Sequence, residues 1–481
     1  MTLYDLIVIG TGTAGSTVAS NCRSNGLKVA IIDSLPFGGT CALRGCEPKK
    51  IMNEAAKTID SNHRHESIGL SDIDKVHLNW HDLINFKRTF TDPFPKQRED
   101  SYINAGIISI HGKAKFIDKD VVKVEYNEKA DDTNNEIIKG KYILIATGAR
   151  PVNLGIPGSE NVITSDQFLD LESHRLPDNI AFIGGGYISF EFAHMAARSG
   201  VKKVTIFHRG KQSLEHFDPD LVNQLVQKSK NIGIDVRLET KVERIDKLES
   251  SSSSSLVKGD GKLVVHYSSL VDSLADDKLT KTLKADMVVH GAGRVPNIEE
   301  LDLKAGGIEY TPRGIKVNEY LQSVSNPIVY AAGDVAASGG APLTPVATYE
   351  GNIVSTNILN GNSIKSNYVG LPSVVFTIPP LASVGLAEKD AIEQGLQFRT
   401  NHKDTSRWIS SRRVGETHSG FKILIEQGSD RILGAHLLGP HAEEVINIFS
   451  MAIRLGLTVK DLNDPVLYAY PTYTSDVIYM L

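Results

Sequence analysis

Two stretches of the chain share one pattern of apolar and polar positions. In the first, DLIVIGTGTAGSTVASNCRSNGLKVAIID at residues 5–33, an apolar run is followed by glycines, a helical pattern and a second apolar run. The second, NIAFIGGGYISFEFAHMAARSGVKKVTIFHRGK at 179–211, repeats that order. Short apolar runs bounded by turn residues are typical of buried strands, and strands that alternate with helices favour a parallel sheet. The pattern therefore predicts two strand-turn-helix-strand segments of the α/β class.

Glycines at fixed spacing open both predicted helices. In the first stretch Gly10, Gly12 and Gly15 have the G-x-G-x-x-G spacing, and Asp33 ends the next strand. Small residues let the backbone approach a pyrophosphate at the helix N-terminus, and a carboxylate about 20 residues later can accept a hydrogen bond from a ribose hydroxyl. This context makes the motif specific. The first stretch is therefore predicted to bind a dinucleotide.

The second glycine turn differs from the first in the residues that follow it. Gly184, Gly186 and Ser189 occupy the three motif positions, and Ser189 is a mild departure from the usual glycine or alanine. The next strand ends in a basic cluster rather than an acid: His208, Arg209 and Lys211. Such a cluster suits the 2′-phosphate of NADP better than the free 2′-hydroxyl of NAD, although a solvated basic loop is the alternative interpretation. We predict NADPH, with NADH less favoured.

Length and charge narrow the class of protein. A chain of 481 residues is long enough for about three domains. Its net charge of -5 gives no basic footprint for nucleic acid. No apolar run reaches the length of a membrane span, and the opening MTLYDLIVIG lacks the basic start of a signal peptide. We therefore expect a cytoplasmic protein with neither a nucleic-acid nor a membrane partner.

Two of the three cysteines, Cys41 and Cys46, lie close together in GGTCALRGCEPKK at residues 38–50. In a reducing compartment such a pair is redox-active or metal-binding rather than structural, and its spacing is not the C-x-x-C of a thioredoxin site. Residues i and i+5 of a regular helix lie about 140° apart around the axis, and their separation is too large for a disulfide. The loop must therefore be distorted, and Gly45 supplies the backbone freedom. The third cysteine, Cys22, is predicted to lie in the core.

Six further motifs follow in order along the chain: ATGARP at 146–151, GRVPN at 293–297, VYAAGDV at 329–335, LTPVAT at 343–348, VVFTIPPLASVGL at 374–386 and ILGAHLLGP at 432–440. Together with the cysteine loop and the two glycine turns, they resemble the flavin-dependent pyridine nucleotide-disulfide oxidoreductases. This family includes glutathione reductase, dihydrolipoamide dehydrogenase and mercuric reductase. The resemblance covers nearly the whole chain.

The resemblance implies an α/β fold with two Rossmann-like dinucleotide-binding domains, for FAD and NAD(P), and a C-terminal α+β dimerisation domain. The FAD-binding domain would comprise residues 1–157 and 291–362, and the NAD(P)-binding domain residues 158–290. Residues 363–481 would form the dimerisation domain of a homodimer.

The same resemblance implies a path for electrons. Hydride from NADPH would reach FAD, and the reduced flavin would open a Cys41–Cys46 disulfide by attack at Cys46, which sits over the isoalloxazine ring. Cys41 would be the outer thiol that exchanges with substrate. Lys49 would pair with Glu191 near the reacting flavin nitrogen.

Cofactor contacts are also implied. Asp33 would hold the adenosine ribose and Asp334 the ribityl chain, Thr40 would lie along the flavin, and Tyr187 would cover the nicotinamide pocket until NADPH displaces it. Two more motif residues would contribute to cofactor binding: Gly148 and Arg294. No resident metal is expected.

The chain departs from the family in its last motif. Disulfide reductases of the family end in a stretch resembling H-A-H-P-T-x-x-E, whose second histidine protonates the departing thiol. Here the stretch is YAYPTYTSD at 468–476, with Tyr470 in the histidine position, Ser475 in the glutamate position and Asp476 one residue late. A tyrosine with a pKa of about 10 is a poor proton shuttle at neutral pH. Packing at the dimer interface is the alternative role for these tyrosines.

The acceptor of the electrons therefore stays open at the level of sequence. The first hypothesis is an enzyme that reduces a disulfide, whose own structure supplies the proton or a low thiol pKa. The second is a reductase of a quinone or of a soft metal ion, since soft thiolates select soft metals, although the vicinal C-terminal cysteines of mercuric reductases are missing. The third is a redox-sensing flavoprotein with little turnover.

Overall fold

A computed structural model describes residues 1–66, 68–126, 135–248, 262–271 and 280–481. The six serines at 250–255, for which composition predicts a flexible hairpin loop, lie outside the described residues. The helices are α1 Thr13–Ser24, α2 Gly39–Arg44, α3 Cys46–His65, α4 Trp80–Thr91, α5 Phe94–Ala105, α6 Ser165–Leu169, α7 Tyr187–Arg198, α8 Pro219–Asn231, α9 Thr344–Asn360, α10 Glu388–Glu393, α11 Ile409–Arg412, α12 Ala442–Leu455 and α13 Val459–Leu462.

The strands include those of the two predicted strand-turn-helix-strand segments, whereas many of the others follow one another without an intervening α-helix. They are β1 Thr2–Ile9, β2 Val29–Asp33, β3 Ile108–Asp118, β4 Val121–Tyr126, β5 Asn135–Ile145, β6 Ala149–Pro151, β7 Asn179–Ile183, β8 Lys203–Phe207, β9 Ile234–Arg237, β10 Thr240–Lys247, β11 Leu263–Ser269, β12 Lys281–Ala285, β13 Met287–His290, β14 Arg294–Pro296, β15 Tyr310–Thr311, β16 Gly314–Ile315, β17 Val329–Ala331, β18 Ser373–Val375, β19 Leu381–Gly385, β20 Phe398–Asp404, β21 Gly420–Glu426 and β22 Ile432–Leu438.

The chain divides into two compact units. The first unit comprises Met1–Lys49, Asn85–Val152 and Gly293–Tyr368. The second comprises Lys50–Ile84, Asn153–Ala292 and Val369–Leu481.

A parallel sheet forms the centre of the first unit. β1 pairs with β2 on one side and β5 on the other, β2 pairs with β3, and β5 pairs with β17, all in parallel register. β3, β4 and β5 continue as an antiparallel meander. The central strands are buried on both faces, which explains their continuous apolar runs. On one face Val18, Ala19 and Cys22 of α1 pack with Val354 of α9, so Cys22 is a core residue as predicted.

The described residues of the second unit form three sheets. β13, β7, β8 and β9 form a parallel sheet, and β10, β11 and β12 form an antiparallel one. β18, β19, β22, β21 and β20 form a five-stranded antiparallel sheet whose core is shared with α12. None of the helices among the described residues is long and apolar enough to cross a membrane.

Buried charges connect α3, α7 and the loop after β18 within the second unit. The Arg198 guanidinium donates to Asp60 Oδ1 at 2.6 and 2.9 Å and to the Ile378 carbonyl at 3.0 Å. The Asp60 carboxylate also accepts from Arg64 Nε at 2.7 Å. The side chains of Arg198 and Asp60 are only 5% and 7% exposed. Because water hardly reaches them, each charge is stabilised by the opposite charge of its partner.

A histidine next to this network is held neutral. The Ile378 N–H donates to Nδ1 of His194, and Nε2 lies 2.9 Å from the Ser229 hydroxyl. A proton on Nδ1 would face the Ile378 N–H. Burial, with smaller effects from Arg198 and Lys228, holds the pKa of His194 well below its usual value of 6.5.

We expect this histidine to make the fold sensitive to acid. Below pH 6.5 the unfolded chain binds a proton at His194 that the folded protein excludes, so its contribution to stability is complete above that pH and is lost as the pH falls. The slope approaches about 1.4 kcal/mol per pH unit for one such group. Urea unfolding between pH 7.5 and pH 5 should therefore show a shallower pH dependence for His194→Gln than for the wild type. The exposed His77→Gln is the control, and equal slopes for wild type and His194→Gln would contradict the assignment.

Candidate active site

The first glycine turn is shaped for a phosphate group. Gly12 precedes α1 in an extended conformation, with no side chain capping the helix and no acidic residue in its first turn. A Cβ on Gly12 would meet only Gly39 Cα, at 3.9 Å, whereas a Cβ on Gly10 would lie 2.3 Å from the Ala146 carbonyl oxygen and one on Gly15 2.0 Å from the Gly10 carbonyl oxygen. Gly10 and Gly15 are therefore needed for close packing of the backbone. Gly12 leaves open space at the N-terminus of α1, the positive end of the helix.

Asp33 lies at the end of β2, beside this turn. Its Oδ2 accepts from the Thr11 backbone N–H at 2.8 Å and from the Thr11 hydroxyl at 2.6 Å, and its Oδ1 accepts from the Leu35 N–H at 3.0 Å. The Thr11 hydroxyl in turn accepts from the Gly38 N–H at 3.1 Å. Thr11 therefore connects the acid to the start of the cysteine loop, a role that the sequence analysis did not assign.

The cysteine loop is broken where the sequence predicts a distortion. α2 ends at Arg44 and α3 begins at Cys46, so the helix is interrupted at Gly45. A Cβ on Gly45 would lie 2.8 Å from the Thr40 carbonyl oxygen. Thr40 is exposed at the start of α2, and Lys49 lies on the first turn of α3, where its N–H donates to the Gly45 carbonyl.

One hydroxyl contacts both sulfurs of the pair. Thr344 Oγ1 donates to Cys41 Sγ at 3.1 Å and lies 3.3 Å from Cys46 Sγ. Cys41 is half-buried, Cys46 is exposed, and the structure holds both as thiols. A hydrogen bond with Cys46, and after it burial, raises the pKa of Cys41, while the Thr344 contact lowers it. The two predicted redox residues are thus brought together, and Thr344 is a contact that the sequence analysis left without a role.

The AAGDV motif is supported by a buried acid. Glu350 of α9 accepts hydrogen bonds from the Gly333 N–H at 2.6 Å, the Tyr368 hydroxyl at 2.6 Å and the Ser338 hydroxyl. Burial raises the pKa of both Glu350 and its neighbour Asp334.

Arg294 and Gly148 lie in the same unit as this motif. Arg294 lowers the pKa of Asp334, against the effect of burial, and donates to the Ala149 carbonyl. Gly148 has a φ of 69° with no atom within 4 Å of a Cβ added there, and its carbonyl accepts from Asn297.

The second glycine turn repeats the open cradle of the first. Gly186 precedes α7 without a capping side chain, and a Cβ there would meet only the Gly291 carbonyl oxygen, at 3.7 Å. A Cβ on Gly184 would lie 2.2 Å from the same oxygen, and Ser189 packs against Gly291. Tyr187 begins α7 and is 44% exposed, and its role as a cover of the nicotinamide pocket stays a prediction.

The basic cluster after β8 divides into one fixed and two exposed side chains. His208 Nδ1 accepts from the Gly185 N–H at 3.2 Å, and Nε2 lies 2.7 Å from the Gln212 carbonyl oxygen. The ring therefore packs against the glycine turn, and its Nε2 also lies 3.4 Å from Glu215 Oε1. Arg209 and Lys211 are exposed.

Glu191 and Tyr470 both belong to the second unit. Glu191 is buried on α7, and its Oε1 accepts from the Phe376 N–H at 2.8 Å. Its predicted pairing with Lys49, which belongs to the first unit, stays a prediction. Tyr470 is 80% exposed.

The residues that follow Tyr470 are held by ring contacts. Arg413 lies 4.7 Å from the centre of the Tyr473 ring, and the centre of the His441 ring lies 4.4 Å from it. Ser475 exchanges hydrogen bonds with Thr472 in a turn. Burial raises the pKa of Asp476, while a hydrogen bond with Ser410 lowers it.

Both glycine turns fit a dinucleotide, since each presents N–H groups at an uncapped helix end beside a glycine with an open side. A model of the pyridine nucleotide-disulphide oxidoreductases matches residues 4–351, and the model of that family's dimerisation domain matches residues 371–480. The chain belongs to this family. The family, the fold class and the enzyme class that the sequence predicts are confirmed.

Relatives of this oxidoreductase carry several specific names. Glutathione reductase from Burkholderia cepacia is 31% identical over 477 residues, 99% of this chain and 98% of that protein. Mercuric reductase from Staphylococcus aureus is 30% identical over 468 residues, 96% of this chain and 79% of that protein. The Cu(II) complex of HOCl-induced flavoprotein disulfide reductase RclA from Escherichia coli superposes with a TM-score of 0.84 at 26% identity, over 100% of this chain and 99% of that one.

Membership of the family establishes the coarse function of this oxidoreductase. It is a flavin-dependent pyridine nucleotide-disulfide oxidoreductase that uses FAD and a pyridine nucleotide. The match to the dimerisation domain supports a homodimer. Among the described residues, no group of three or more His, Cys, Asp and Glu side chains could hold a metal ion.

Proposed function

We propose that this oxidoreductase takes electrons from NADPH and delivers them through Cys41 and Cys46 to a disulfide acceptor. The observation that carries the proposal is the contact between the cysteine loop and the first glycine turn. A Cβ on Gly39, at the start of α2, would lie 2.4 Å from Gly12 Cα. The loop that bears both sulfurs is therefore packed directly on the turn that would hold the pyrophosphate.

The residues proposed to hold FAD are Gly10, Gly12, Gly15, Asp33, Thr40, Gly148, Arg294 and Asp334. When bound, FAD supplies the two-electron relay between the nicotinamide and the cysteine pair. Gly184, Gly186 and Tyr187 are proposed to receive the nicotinamide dinucleotide, with Lys49 and Glu191 as the ion pair near the flavin.

The exchange at sulfur then proceeds in two displacements. Two electrons cleave the Cys41–Cys46 bond and leave a dithiol pair that carries one proton. The Cys41 thiolate attacks one sulfur of the acceptor disulfide, forms a mixed disulfide and releases the first thiolate. Cys46 then loses its proton to a released thiolate and attacks Cys41, which releases the second thiolate and restores the Cys41–Cys46 bond.

The last motif restricts which disulfides can turn over quickly. With tyrosine at position 470, no imidazole is supplied there to protonate the leaving group. A leaving thiol of low pKa departs faster without an acid. We therefore propose an acceptor whose thiols are acidic, or whose own groups supply the proton.

A soft metal ion is the second candidate acceptor. The RclA structure is a Cu(II) complex, and mercuric reductase is among the relatives. Two thiols in contact with one hydroxyl are close enough together to bind such an ion, and thiolates select soft metals.

The test is NADPH consumption by the FAD-loaded protein from pH 6 to pH 9 with three acceptors: oxidised glutathione, an aromatic disulfide whose thiol is acidic, and thiol-buffered Hg(II) or Cu(II). Rapid turnover of the aromatic disulfide, with much slower glutathione turnover at neutral pH, supports the proposal. Turnover of the metals alone would replace it by the second candidate. Reduction of the flavin with no turnover would indicate a sensor or a quinone acceptor.

The proposed preference for NADPH depends on Arg209 and Lys211. Charge-assisted hydrogen bonds contribute about 1.5–3 kcal/mol each, so Arg209→Ala combined with Lys211→Ala should raise the KM for NADPH at least about tenfold and leave the KM for NADH nearly unchanged. Lys202→Ala is a matched control. Lys202 is also an exposed lysine, but it lies just before the first residue of β8, whereas Arg209 and Lys211 follow the last residue of that strand. Equal effects of the double variant on both nucleotides would contradict a role in 2′-phosphate recognition.

A further inference from the structure

Thr344 is placed to act on both thiols at once. Its hydroxyl lies 3.1 Å from Cys41 Sγ and 3.3 Å from Cys46 Sγ. A hydroxyl has one proton to donate and lone pairs to accept. The Thr344 hydroxyl can therefore donate a hydrogen bond to one sulfur while it accepts a hydrogen bond from the thiol of the other.

The position of Thr344 in the fold adds a second contribution. It is the first residue of α9, a helix of 17 residues with no acidic residue in its first turn. The N-terminus of a helix carries a partial positive charge, which favours a thiolate nearby. Both the hydroxyl and the helix end thus stabilise negative charge at the sulfur pair.

The reaction needs the charge to move between the sulfurs. Cleavage of the disulfide from the Cys46 side leaves the thiolate at Cys46, whereas attack on an acceptor needs it at Cys41. In the family a histidine assists this step, and the residue in its position here is Tyr470. A tyrosine with a pKa of about 10 exchanges protons poorly at neutral pH.

We propose that Thr344 is a catalytic residue that passes one proton between Cys41 and Cys46 and stabilises the thiolate on either sulfur. The Cys41 S–H gives its proton to Thr344 Oγ1 while the hydroxyl proton moves to the Cys46 thiolate. One S–H bond breaks and one forms, the negative charge moves from Cys46 to Cys41, and no electrons are exchanged. The inference rests on the proposed function, since it assumes that the two thiols are the redox pair.

The test measures thiol reactivity rather than turnover. FAD-loaded protein is reduced with a phosphine, desalted, and alkylated with iodoacetamide from pH 5 to pH 10, and the labelling of each cysteine is followed by peptide mass spectrometry. Because a hydrogen bond to a charged group contributes about 1.5–3 kcal/mol, Thr344→Val should lower the labelling rate of the pair near pH 7 about tenfold or more and shift its pH profile upward. Thr344→Ser, which keeps the hydroxyl, should behave like the wild type.

The possible outcomes separate the two proposals. Equal pH profiles for the wild type and Thr344→Val would overturn the role of Thr344, and so would an equal loss in Thr344→Ser. If Thr344→Val does not fold, Thr344→Ala takes its place in the same comparison. The proposed function fails in a different way, if the oxidised wild-type protein shows no Cys41–Cys46 disulfide or if NADPH does not reduce it.

Discussion

Replacing Cys46 with serine should abolish NADPH-driven reduction of a disulfide acceptor, with a loss of at least about 1,000-fold in kcat/KM, as expected when a nucleophile is removed. A serine hydroxyl can neither form the disulfide nor attack Cys41. The Cys41→Ser variant should lose acceptor turnover to the same extent, because the mixed disulfide then has no sulfur on which to form. Both variants should keep their FAD and still lose the flavin colour when NADPH is added, since the glycine turns are unchanged.

The third cysteine provides the control for this experiment. Cys22 is fully buried in the cluster between α1 and the central sheet, and burial raises its pKa to about 12. A buried thiol of this kind is chemically inert, so Cys22→Ala should retain turnover. If Cys46→Ser still reduces the acceptor, the electrons leave directly from the flavin and the thiol pathway is wrong.

Replacing Asp60 with asparagine should destabilise the second unit by about 3–5 kcal/mol, the usual result of removing one partner of a buried ion pair. Arg198 would remain charged and buried, with a neutral amide in place of the carboxylate and the Ile378 and His194 carbonyls as further acceptors. Arg64 would also lose its contact with Asp60, but its side chain is more exposed. The fall should appear in the urea midpoint, measured by circular dichroism at pH 7.5.

A matched pair of variants separates this effect from a general loss of charge. Asp72→Asn removes a carboxylate from an ion pair that is exposed on both sides and should change the stability by less than about 0.5 kcal/mol. Combining Asp60→Asn with Arg198→Met removes the orphaned charge, so the double variant should be more stable than Asp60→Asn alone. If Asp60→Asn lowers the free energy of unfolding by less than about 1 kcal/mol, the prediction is wrong and water solvates the Arg198 charge at this site.

The glycine turns and the break at Gly45 could be predicted because they depend on neighbours in the sequence. Spacing alone shows which residue opens a helix, and the i, i+5 geometry of Cys41 and Cys46 requires a distortion. Asp33 was identified in the same way, as the acid that ends the next strand.

Other features of the site depend on residues that are far apart in the chain. Thr344 is 303 positions from Cys41 and 298 from Cys46 in the sequence, yet its hydroxyl contacts both sulfurs. Similarly, the carboxylate of Glu350, in α9, accepts a hydrogen bond from the Gly333 N–H. A threonine in LTPVAT carries no local signal of a sulfur partner. His208 belongs to the basic cluster in the sequence, and its hydrogen-bond contacts with Gly185 and Gln212 could not be predicted from the spacing of that cluster.

The contact between Gly12 and Gly39 restricts which substitutions the chain can accept at these two positions during evolution. Because a Cβ on Gly39 would overlap the backbone of Gly12, backbone atoms alone set the spacing between the start of the cysteine loop and the first glycine turn. Variants of this chain can therefore diverge elsewhere, while the spacing between the cysteine loop and the first glycine turn stays unchanged as long as both glycines are kept.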